Sequence, residues 1–344
     1  MFPLHGSEEA LLLQEGGERL ATVPVLVLNA YSCCNCRCVM CDIWKRDTAV
    51  ELSAADLERH SGSLRRLAVE WVVISGGEPL MHGNLRGLCM FLRSLDVRLT
   101  LLTTGLLLVK RATDVAELFD DIIVSLDGPR SVHEGIRRVK GSFDLIAAGV
   151  TEVHRLRSDM RITARTTVQK ANHQHLRDTV ISAKQLELDG ISFLAADLTS
   201  EAFNRPLLWP AERQGQVSLS QDEISELEME VEQLIADFAQ DIEAGYIAES
   251  ATKLRKIVAH FKAHIGKGRD VAPRCNAPWV SAVIEADGTV RPCFFHQAIG
   301  NIHTTSLEGV INGEVARAFR RELDVESNPI CRSCVCSLYR PVVA

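Results

Sequence analysis

Short runs of β-branched and other apolar residues alternate with longer amphipathic stretches from Val23 onward. The runs have the length and composition of buried strands, and the stretches between them have the spacing of amphipathic helices. Strands are predicted at six places: 23–30, 70–75, 98–103, 121–127, 161–168 and 190–197. Strand–helix units repeated in this way predict an α/β fold whose parallel sheet closes into a barrel or part of one. In such a fold the loops after the strands carry the chemistry.

The pattern changes after the sixth predicted strand. Prolines and glycine interrupt any periodicity over residues 199–220, which predicts a linker or lid. Two amphipathic helices are predicted next, the first starting at the capping box Ser220–Glu223 and the second ending at Gly266. The cysteine-rich remainder contains a predicted hairpin with its turn at 287–288. Four regions follow, namely an N-terminal arm (1–22), a barrel core (23–200), a linker and helical region (201–270) and a C-terminal domain (271–344).

Composition and charge narrow the functional classes. A formal net charge of −7 offers no broad basic surface for a phosphate backbone, so nucleic acid is not an expected partner. The N-terminal segment carries acidic residues where a secretory signal carries basic ones, and no apolar run is long enough to cross a bilayer. We therefore expect a cytoplasmic protein with no membrane partner. In that compartment, ten of the eleven cysteines lie in two groups, which predicts metal or cluster ligands rather than disulfides.

The first cysteine group directly follows the first predicted strand. Within it, Cys34, Cys38 and Cys41 have the spacing C-x3-C-x2-C. Such a loop can supply three thiolates to one 4Fe–4S cluster and leave the fourth iron without a protein ligand. That iron can chelate a small molecule and pass an electron to it. A zinc knuckle or a set of inert thiols is the alternative, although zinc usually takes four protein ligands. The roles of Cys33 and Cys36 stay open.

Motifs after the later strands extend this pattern. Three motifs lie at the ends of predicted strands: Ser-Gly-Gly-Glu-Pro at 75–79, Thr-Thr-Gly at 103–105 and Ser-Leu-Asp-Gly-Pro at 125–129. His133 and Arg137 come shortly after the last of them. Together with the cysteines they resemble the radical S-adenosylmethionine enzymes and, within that superfamily, the SPASM/twitch branch. The resemblance implies a partial (β/α)6 TIM barrel that binds a 4Fe–4S cluster and S-adenosylmethionine.

The resemblance also assigns residues to cofactor binding. They are Met40, Ser75, Gly76, Gly77, Glu78, Pro79, Thr104, Ser125, Asp127, Arg137, Arg165 and Asn172. In this assignment the Gly-Gly-Glu-Pro backbone and Glu78 hold the methionine amino group, while Arg165 and Asn172 contact the carboxylate and the ribose. Met40 would pack on the adenine, although packing within the loop explains a methionine there equally well.

The second cysteine group lies near the C-terminus. Cys275, Cys293, Cys331 and Cys334 resemble the ligands of a twitch domain, a shortened SPASM domain, and so imply one auxiliary 4Fe–4S cluster. A structural zinc ribbon is the open alternative, because it also combines a hairpin with C-x2-C. Cys336 is the candidate catalytic residue, as a hydrogen-atom donor, although it could instead be a cluster ligand or an ordinary loop residue. Cys89 lies in an amphipathic helix and is expected in the core.

The implied activity is reductive cleavage of S-adenosylmethionine to a 5′-deoxyadenosyl radical, which abstracts a hydrogen atom and leads to oxidation, epimerisation or bond formation. Only about two dozen residues precede the first strand, too few for a leader-peptide-binding domain, so a sugar, aminocyclitol or nucleoside in natural-product biosynthesis is the expected substrate. Maturation of a ribosomally made peptide is the alternative. A non-catalytic iron–sulfur or zinc protein is a further one, which the motif at 75–79 opposes. A flavodoxin- or ferredoxin-type electron donor is expected, and His296 and Asp197 could touch the substrate.

Overall fold

The computed structural model describes residues 13–14, 18–205, 207–269 and 272–341. Most of the predicted N-terminal arm, and Pro206 of the predicted linker, lie outside the described residues. Eleven strands occur in the part described, and two short ones form a separate antiparallel ribbon. They are β1 (Leu13–Gln14), β2 (Arg19–Leu20), β3 (Val25–Tyr31), β4 (Trp71–Gly76), β5 (Arg98–Thr103), β6 (Asp121–Ser125), β7 (Arg161–Val168), β8 (Ile191–Ala195), β9 (Ser281–Ile284), β10 (Thr289–Arg291) and β11 (Gly300–Asn301).

Strands β3 to β8 are parallel neighbours in sequence order, and each coincides with a predicted strand. The α/β class and the partial barrel are therefore confirmed. Strand β4 is buried over its first five residues, as expected of a parallel strand covered on both faces. Parallel order brings the carboxyl ends of all six strands to one rim of the barrel, and the loops at that rim hold the predicted motifs.

Helices cover the outside of the sheet. The α-helices are α1 (Ala54–Glu58), α2 (Ser61–Arg66), α3 (Leu85–Arg93), α4 (Leu108–Leu118), α5 (Arg130–Arg137), α6 (Ser142–Leu156), α7 (Leu176–Gln185), α8 (Ala211–Gln214), α9 (Gln221–Asp237), α10 (Ala239–Glu243), α11 (Ala251–His264), α12 (Ala277–Val280), α13 (Leu307–Ile311), α14 (Glu314–Glu322) and α15 (Pro329–Arg332). Two 3-10 helices occupy Ile43–Lys45 and Pro79–Met81. The predicted capping box at Ser220 is present, and Ser53 forms a second one with Asp56. Cys89 is fully buried in the core, as predicted.

The C-terminal hairpin continues the barrel's sheet. Strands β9 and β10 are antiparallel, with Gly288 at φ +79° in the turn between them. Strand β9 pairs in parallel with β3, from Val25 opposite Ser281 to Leu28 opposite Ile284. The resulting sheet has nine strands in the order β11-β10-β9-β3-β4-β5-β6-β7-β8. The second cysteine group is thereby attached to the first barrel strand by backbone hydrogen bonds.

The opposite edge of the sheet, strand β8, is covered by the segment that precedes α11. Ile191 N donates to Tyr246 O, Ala248 N donates to Ile191 O, and Phe193 N donates to a carboxylate oxygen of Glu249. These contacts satisfy backbone groups that an exposed edge strand would leave unpaired. Among the helices that the structure describes, none is both long and apolar enough to cross a bilayer.

Candidate active site

A cavity of about 320 Å³ lies among the loops that follow the parallel strands and the C-terminal cysteine loops. Both cysteine groups line it. The predicted residues that reach it are Cys34, Cys38, Met40, Cys41, Ser75, Gly76, Gly77, Thr104, Ser125, Arg137, Arg165, Cys275, Cys293, Cys331, Cys334 and Cys336. Residues separated by some 300 positions thus share one chamber, and the chemistry available at one cysteine group is available next to the other.

The glycines of the 75–79 motif let the cysteine loop approach β4. A Cβ on Gly77 would lie 1.9 Å from the carbonyl oxygen of Cys33, a distance that no side chain tolerates. Gly76 has φ +130°, and a Cβ there would lie 2.5 Å from Tyr31 O. Backbone hydrogen bonds run from Gly77 N to Tyr31 O and from Glu78 N to Cys33 O. The two loops therefore form one unit with no room for a side chain between them.

Glu78 lies beneath this unit and is fully buried. Its carboxylate accepts hydrogen bonds from Thr103 Oγ1 (2.7 Å), Thr104 N (2.7 Å) and Leu80 N (3.0 Å). Burial raises the pKa of Glu78, while these hydrogen bonds act in the opposite direction. Thr104 Oγ1 in turn donates to Asn35 of the cysteine loop at 3.1 Å. Glu78 thus ties three loops together from behind the cavity wall.

Arg137 connects the fourth-strand block to the cysteine loop. Its Nε donates to Asp127 at 2.6 Å, and its Nη1 lies 3.6 Å from the sulfur of Cys38. Both side chains of the ion pair are buried. Asp127 also accepts from Thr167 N with its other carboxylate oxygen. The arrangement places a guanidinium beside one cysteine sulfur and fixes that guanidinium through a carboxylate held by the sheet.

Two further predicted residues occupy different positions. Arg165 lines the cavity, its Nε is 3.4 Å from Ser192 Oγ, and burial lowers its pKa. Asn172 is fully buried, and its amide donates to Asp127 O and Thr167 O while accepting from Gln169 N. Pro79 is buried as well and starts the 3-10 helix after Glu78. Glu78, Pro79, Asp127 and Asn172 do not line the cavity in this structure, and their predicted contacts with a cofactor stay predictions.

The chemistry of the first cysteine group fits a thiolate-ligated cluster. A hydrogen bond from the Cys36 thiol lowers the pKa of Cys38 to about 6, and Arg137 acts in the same direction. Burial raises the pKa of Cys41 to about 12. A buried thiol with a raised pKa is neutral on its own, but bound metal deprotonates it. Cys34, Cys38 and Cys41 all line the cavity, whereas the buried Cys36 does not; the assignment of these three as cluster ligands stays a prediction.

The second group brings five thiols to the same cavity. Burial raises the pKa of Cys293 to about 12 and of Cys331 to about 11, and it also raises the pKa of Cys275 and Cys334. His296 is buried, with Nε2 3.3 Å from Cys331 Sγ. Its imidazole is therefore part of the wall around these sulfurs, and burial lowers its pKa. Four thiols of this group suffice for a fully ligated cluster, which leaves one thiol over.

Three aromatic residues that the sequence did not single out form part of the cavity wall. Phe203, Phe294 and Phe295 pack on one another, with ring centroids 5.1 to 6.3 Å apart. Two of them follow Cys293 directly, so the Cys-Phe-Phe-His sequence was the available signal. Phe203 comes from the predicted linker, where nothing in the pattern indicated a cavity residue.

Asp197, considered as a substrate contact, lines the cavity and also has partners within the protein. Its carboxylate accepts from Arg205 at 2.7 Å and from Ser200 Oγ at 2.5 Å. Arg205, also missed from sequence, is almost completely buried. Asp197 reaches the cavity wall as half of this ion pair.

Two family models match the chain. The model described as the radical SAM superfamily matches residues 28–181. The SPASM model, described as an iron–sulfur cluster-binding domain, matches residues 275–335. The first runs from within β3 to within α7 and so contains strands β4 to β7, and the second spans the hairpin and all the predicted auxiliary ligands. The second description favours a cluster over the zinc ribbon.

Curated relatives match parts of the chain. Pre-heme d1 synthase of Dinoroseobacter shibae is 31% identical over 157 residues, which are 44% of this chain and 38% of that protein. The antilisterial bacteriocin subtilosin biosynthesis protein AlbA of Bacillus subtilis is 23% identical over 297 residues, 81% of this chain and 57% of that protein. The matches thus span less than two thirds of either relative.

A solved structure shares the whole architecture. Streptococcus suis SuiB bound to the precursor peptide SuiA superposes with a TM-score of 0.62 at 16% identity, covering 93% of this chain and 73% of that one. At this level of identity the likeness concerns the fold. It extends through both the barrel and the C-terminal domain, in agreement with the continuous sheet described above.

Proposed function

Because this chain is a radical S-adenosylmethionine enzyme with a C-terminal SPASM domain, we propose that it modifies a ribosomally made peptide at an apolar or aromatic residue. The observation that carries the proposal is the composition of the shared cavity. Apolar side chains dominate the wall near the second cysteine group, namely Phe203, Phe294, Phe295, Val325, Ile330, Val335 and Leu338. Burial of an apolar substrate side chain against such a wall stabilises the enzyme–substrate complex.

The residues present fit the two clusters that the domains imply. Cys34, Cys38 and Cys41 would hold the first, and four thiols of the second group would hold the auxiliary one. When bound, the first cluster and S-adenosylmethionine supply a 5′-deoxyadenosyl radical that can abstract hydrogen from an unactivated C–H bond, and the auxiliary cluster can exchange electrons. The barrel loops then hold the substrate carbon close to the cofactor and exclude water.

The expected sugar, aminocyclitol or nucleoside is less well supported. Such a substrate presents many hydroxyl or amino groups that need partners when buried. Two charged side chains of the wall are already paired within the protein: Arg137 with Asp127, and Asp197 with Arg205. The relatives point in the same direction, since one bears the name of a bacteriocin biosynthesis protein and the structural neighbour was solved with a precursor peptide. A tetrapyrrole is the second candidate, because it is also largely apolar and a relative is named pre-heme d1 synthase.

We further propose that Cys336 faces the substrate and is not an auxiliary ligand. Its side chain lines the cavity and lies within electrostatic range of Arg165, which belongs to the barrel. The Cys336 thiol of the second group therefore interacts with a barrel residue that is predicted to contact S-adenosylmethionine. A thiol in that place would give a hydrogen atom to a substrate radical and become a thiyl radical, which one electron from the external reductant and one proton return to the thiol. Replacing it with alanine should leave about eight irons per chain, the content of two 4Fe–4S clusters.

The substrate proposal is tested by the release of 5′-deoxyadenosine from the reconstituted full chain with S-adenosylmethionine and a reductant. The probes are short peptides that differ at one position, Phe, Leu, Ser or Asp, together with an aminocyclitol, a nucleoside and coproporphyrin. We expect substrate-dependent release with the Phe and Leu peptides. Release with the aminocyclitol or nucleoside alone would overturn the proposal, and release with coproporphyrin alone would establish the second candidate.

A pair of variants ties the result to the cavity. Phe294→Ala removes an aromatic ring from the wall and should lower kcat/KM for the Phe peptide roughly tenfold, the effect of a lost apolar contact in a specificity pocket. Phe143→Ala removes a ring that lies outside the cavity and packs against His133. The control variant should keep the wild-type kcat/KM. Equal losses in both variants would contradict a role for the aromatic wall in substrate binding.

A further inference from the structure

A buried ion pair joins Arg205 of the predicted linker to Asp197 at the end of the sixth predicted strand, and it reaches the cysteine loop. Arg205 and Asp197 are 2.7 Å apart, and their side chains are 1% and 4% exposed. Arg205 Nη2 donates to Asp197 O at 3.0 Å and, across the chain, to Met40 O at 3.2 Å. Met40 precedes Cys41, so the guanidinium holds the backbone of the loop at the last cysteine of the trio. It also lies within electrostatic range of the Cys41 thiol.

Aromatic rings fix the plane of this guanidinium. The Arg205 Cζ atom lies 3.7 Å from the centre of the Trp209 ring and 5.5 Å from that of Phe203. Trp209 is itself anchored, because its Nε1 donates to Asp42 Oδ2 at 2.7 Å. The stacking surface of Arg205 is thus fastened to the residue that follows Cys41. A stacked and hydrogen-bonded arginine has far less freedom than a lysine in the same place.

The backbone of the loop is held at the same points. Asp42 N donates to Phe203 O at 3.3 Å, and Asn204 Nδ2 donates to Asp42 O at 3.1 Å. Arg213, also stacked on Trp209, donates to Val39 O. Residues 39–42 are therefore fastened from one side by the segment around Arg205. From the other side Val39 N donates to Ile136 O at the end of α5.

A buried ion pair of this kind needs an explanation other than stability. Desolvation of the two charges offsets most of their attraction, and apolar residues of similar volume are often as stable or more so. What the pair supplies here is a fixed positive charge beside one cysteine and a fixed geometry for the loop. Arg137 does the same beside Cys38, at 3.6 Å from its sulfur. Charges and hydrogen bonds around cluster sulfurs set the reduction potential of a cluster.

We propose that Arg205, fixed by Asp197 and Trp209, is a positioning residue for the first cluster, where it orients the Met40–Cys41 backbone and raises the reduction potential with its charge. Removal of the charge should make the cluster harder to reduce, because reduction adds a negative charge beside it. The inference concerns the cluster and requires no substrate. It can therefore fail or succeed independently of the peptide proposal.

The test is a redox titration of the reconstituted full chain followed by electron paramagnetic resonance. The signal that changes on addition of S-adenosylmethionine belongs to the first cluster, which separates it from the auxiliary one. At the potential where the wild-type signal is half developed, Arg205→Gln should show about a tenfold lower ratio of reduced to oxidised cluster, a shift of about 59 mV for one electron. Arg205→Lys keeps the charge and should recover most of this ratio.

Arg320→Gln is the matched control. Arg320 is also a buried arginine, and it donates to the backbone carbonyls of Glu18 and Ile311. None of these three residues lines the cavity. Its titration should match that of the wild type. The proposal would be overturned if the first cluster of Arg205→Gln had the same reduction potential as that of the wild type. It would also be overturned if Arg320→Gln shifted this potential by as much as Arg205→Gln does.

A second variant covers the case in which Arg205→Gln does not keep its first cluster. Trp209→Phe retains the ring and removes the hydrogen bond to Asp42. This variant should keep about eight irons per chain. The electron paramagnetic resonance lines that change on addition of S-adenosylmethionine should be broader than in the wild type, because the loop after Cys41 is held less tightly. An unaltered change in Trp209→Phe, together with loss of both clusters in Arg205→Gln, would reduce Arg205 to a folding role.

Discussion

Substitution of Gly77 by alanine tests how closely the cysteine loop must approach the sheet. The added Cβ would lie 1.9 Å from Cys33 O, 2.4 Å from Cys33 C and 3.0 Å from Cys34 N. Ordinary van der Waals contact starts at 3.4 Å, so the backbone at Cys33 has to retreat by roughly 1.5 Å. All three obstructing atoms belong to the backbone, and no rotamer change relieves the clash. The displacement falls on the residue next to the first cysteine of the trio.

The expected result is the selective loss of the first cluster. Displacements of about 1 Å already lower catalytic rates by about a hundredfold, and a cluster held by three sulfurs is at least as demanding. The reconstituted Gly77→Ala variant should contain about four irons per chain instead of about eight, and S-adenosylmethionine should no longer perturb its spectrum. Iron and sulfide analysis, together with electron paramagnetic resonance with and without S-adenosylmethionine, measure both quantities.

Gly135→Ala provides the control. Gly135 lies inside α5, and a Cβ there would meet nothing within 4 Å. Alanine at such a helical position is expected to be neutral or to stabilise the fold by up to about 1 kcal/mol. Full iron content in Gly77→Ala, with a normal response to S-adenosylmethionine, would refute the argument that a side chain cannot fit between the two loops.

Other predictions concern the auxiliary site, the buried imidazole and the buried carboxylate. Cys331→Ala should lower the iron content to about four per chain while the first cluster still responds to S-adenosylmethionine, and retention of eight irons would contradict its role as a ligand. Burial lowers the pKa of His133 to about 4 from the ordinary histidine value of 6.5, so between these pH values the unfolded chain binds the proton and the folded one does not. Stability should therefore fall by about 3 kcal/mol as the pH drops from 6.5 to 4, and His133→Asn, which can still accept from Asp127 N, should lack that part of the loss in urea unfolding at both pH values. Glu78→Gln should lower the free energy of unfolding by about 2 kcal/mol, because the amide nitrogen replaces one carboxylate oxygen and then faces either Thr104 N or the donors Thr103 Oγ1 and Leu80 N; an unchanged unfolding midpoint would count against the role of Glu78 in joining the three loops.

The barrel could be predicted because its signals are local. Each of the six parallel strands is a run of apolar residues with its own turn signals, and the cysteine spacing and the motif at 75–79 lie directly after two of them. The pairing of β9 with β3 could not be predicted in this way. It depends on backbone hydrogen bonds between residues about 256 positions apart, such as Leu28 and Ile284, and the side chains of an added parallel strand carry no mark of their partner.

The candidate site shows the same division. The cysteines, glycines and Arg137 were found because their residue types are tied to chemistry or to backbone shape. Arg205 and Trp209 were missed, since a buried arginine in a proline-containing segment looks like a solvated loop residue until its partners are known. The carboxylate oxygens of Glu78 accept hydrogen bonds from neighbouring loops, and sequence does not distinguish a residue that faces a cavity from one directly behind its wall, so its assignment to the cofactor stays a prediction.

The continuous sheet has a consequence for electron transfer. Rates of tunnelling between redox centres fall steeply with distance, so a protein with two centres on separate, hinged domains can vary the rate by moving them. Here the hairpin that carries Cys293 is hydrogen-bonded to the strand that leads into the first cysteine loop. The strand before the first cysteine loop and the hairpin before Cys293 thus belong to one sheet, which limits the relative movement of the two metal sites. Exchange between them would then run at a constant rate through the catalytic cycle, and any timing would have to come from the arrival of substrate.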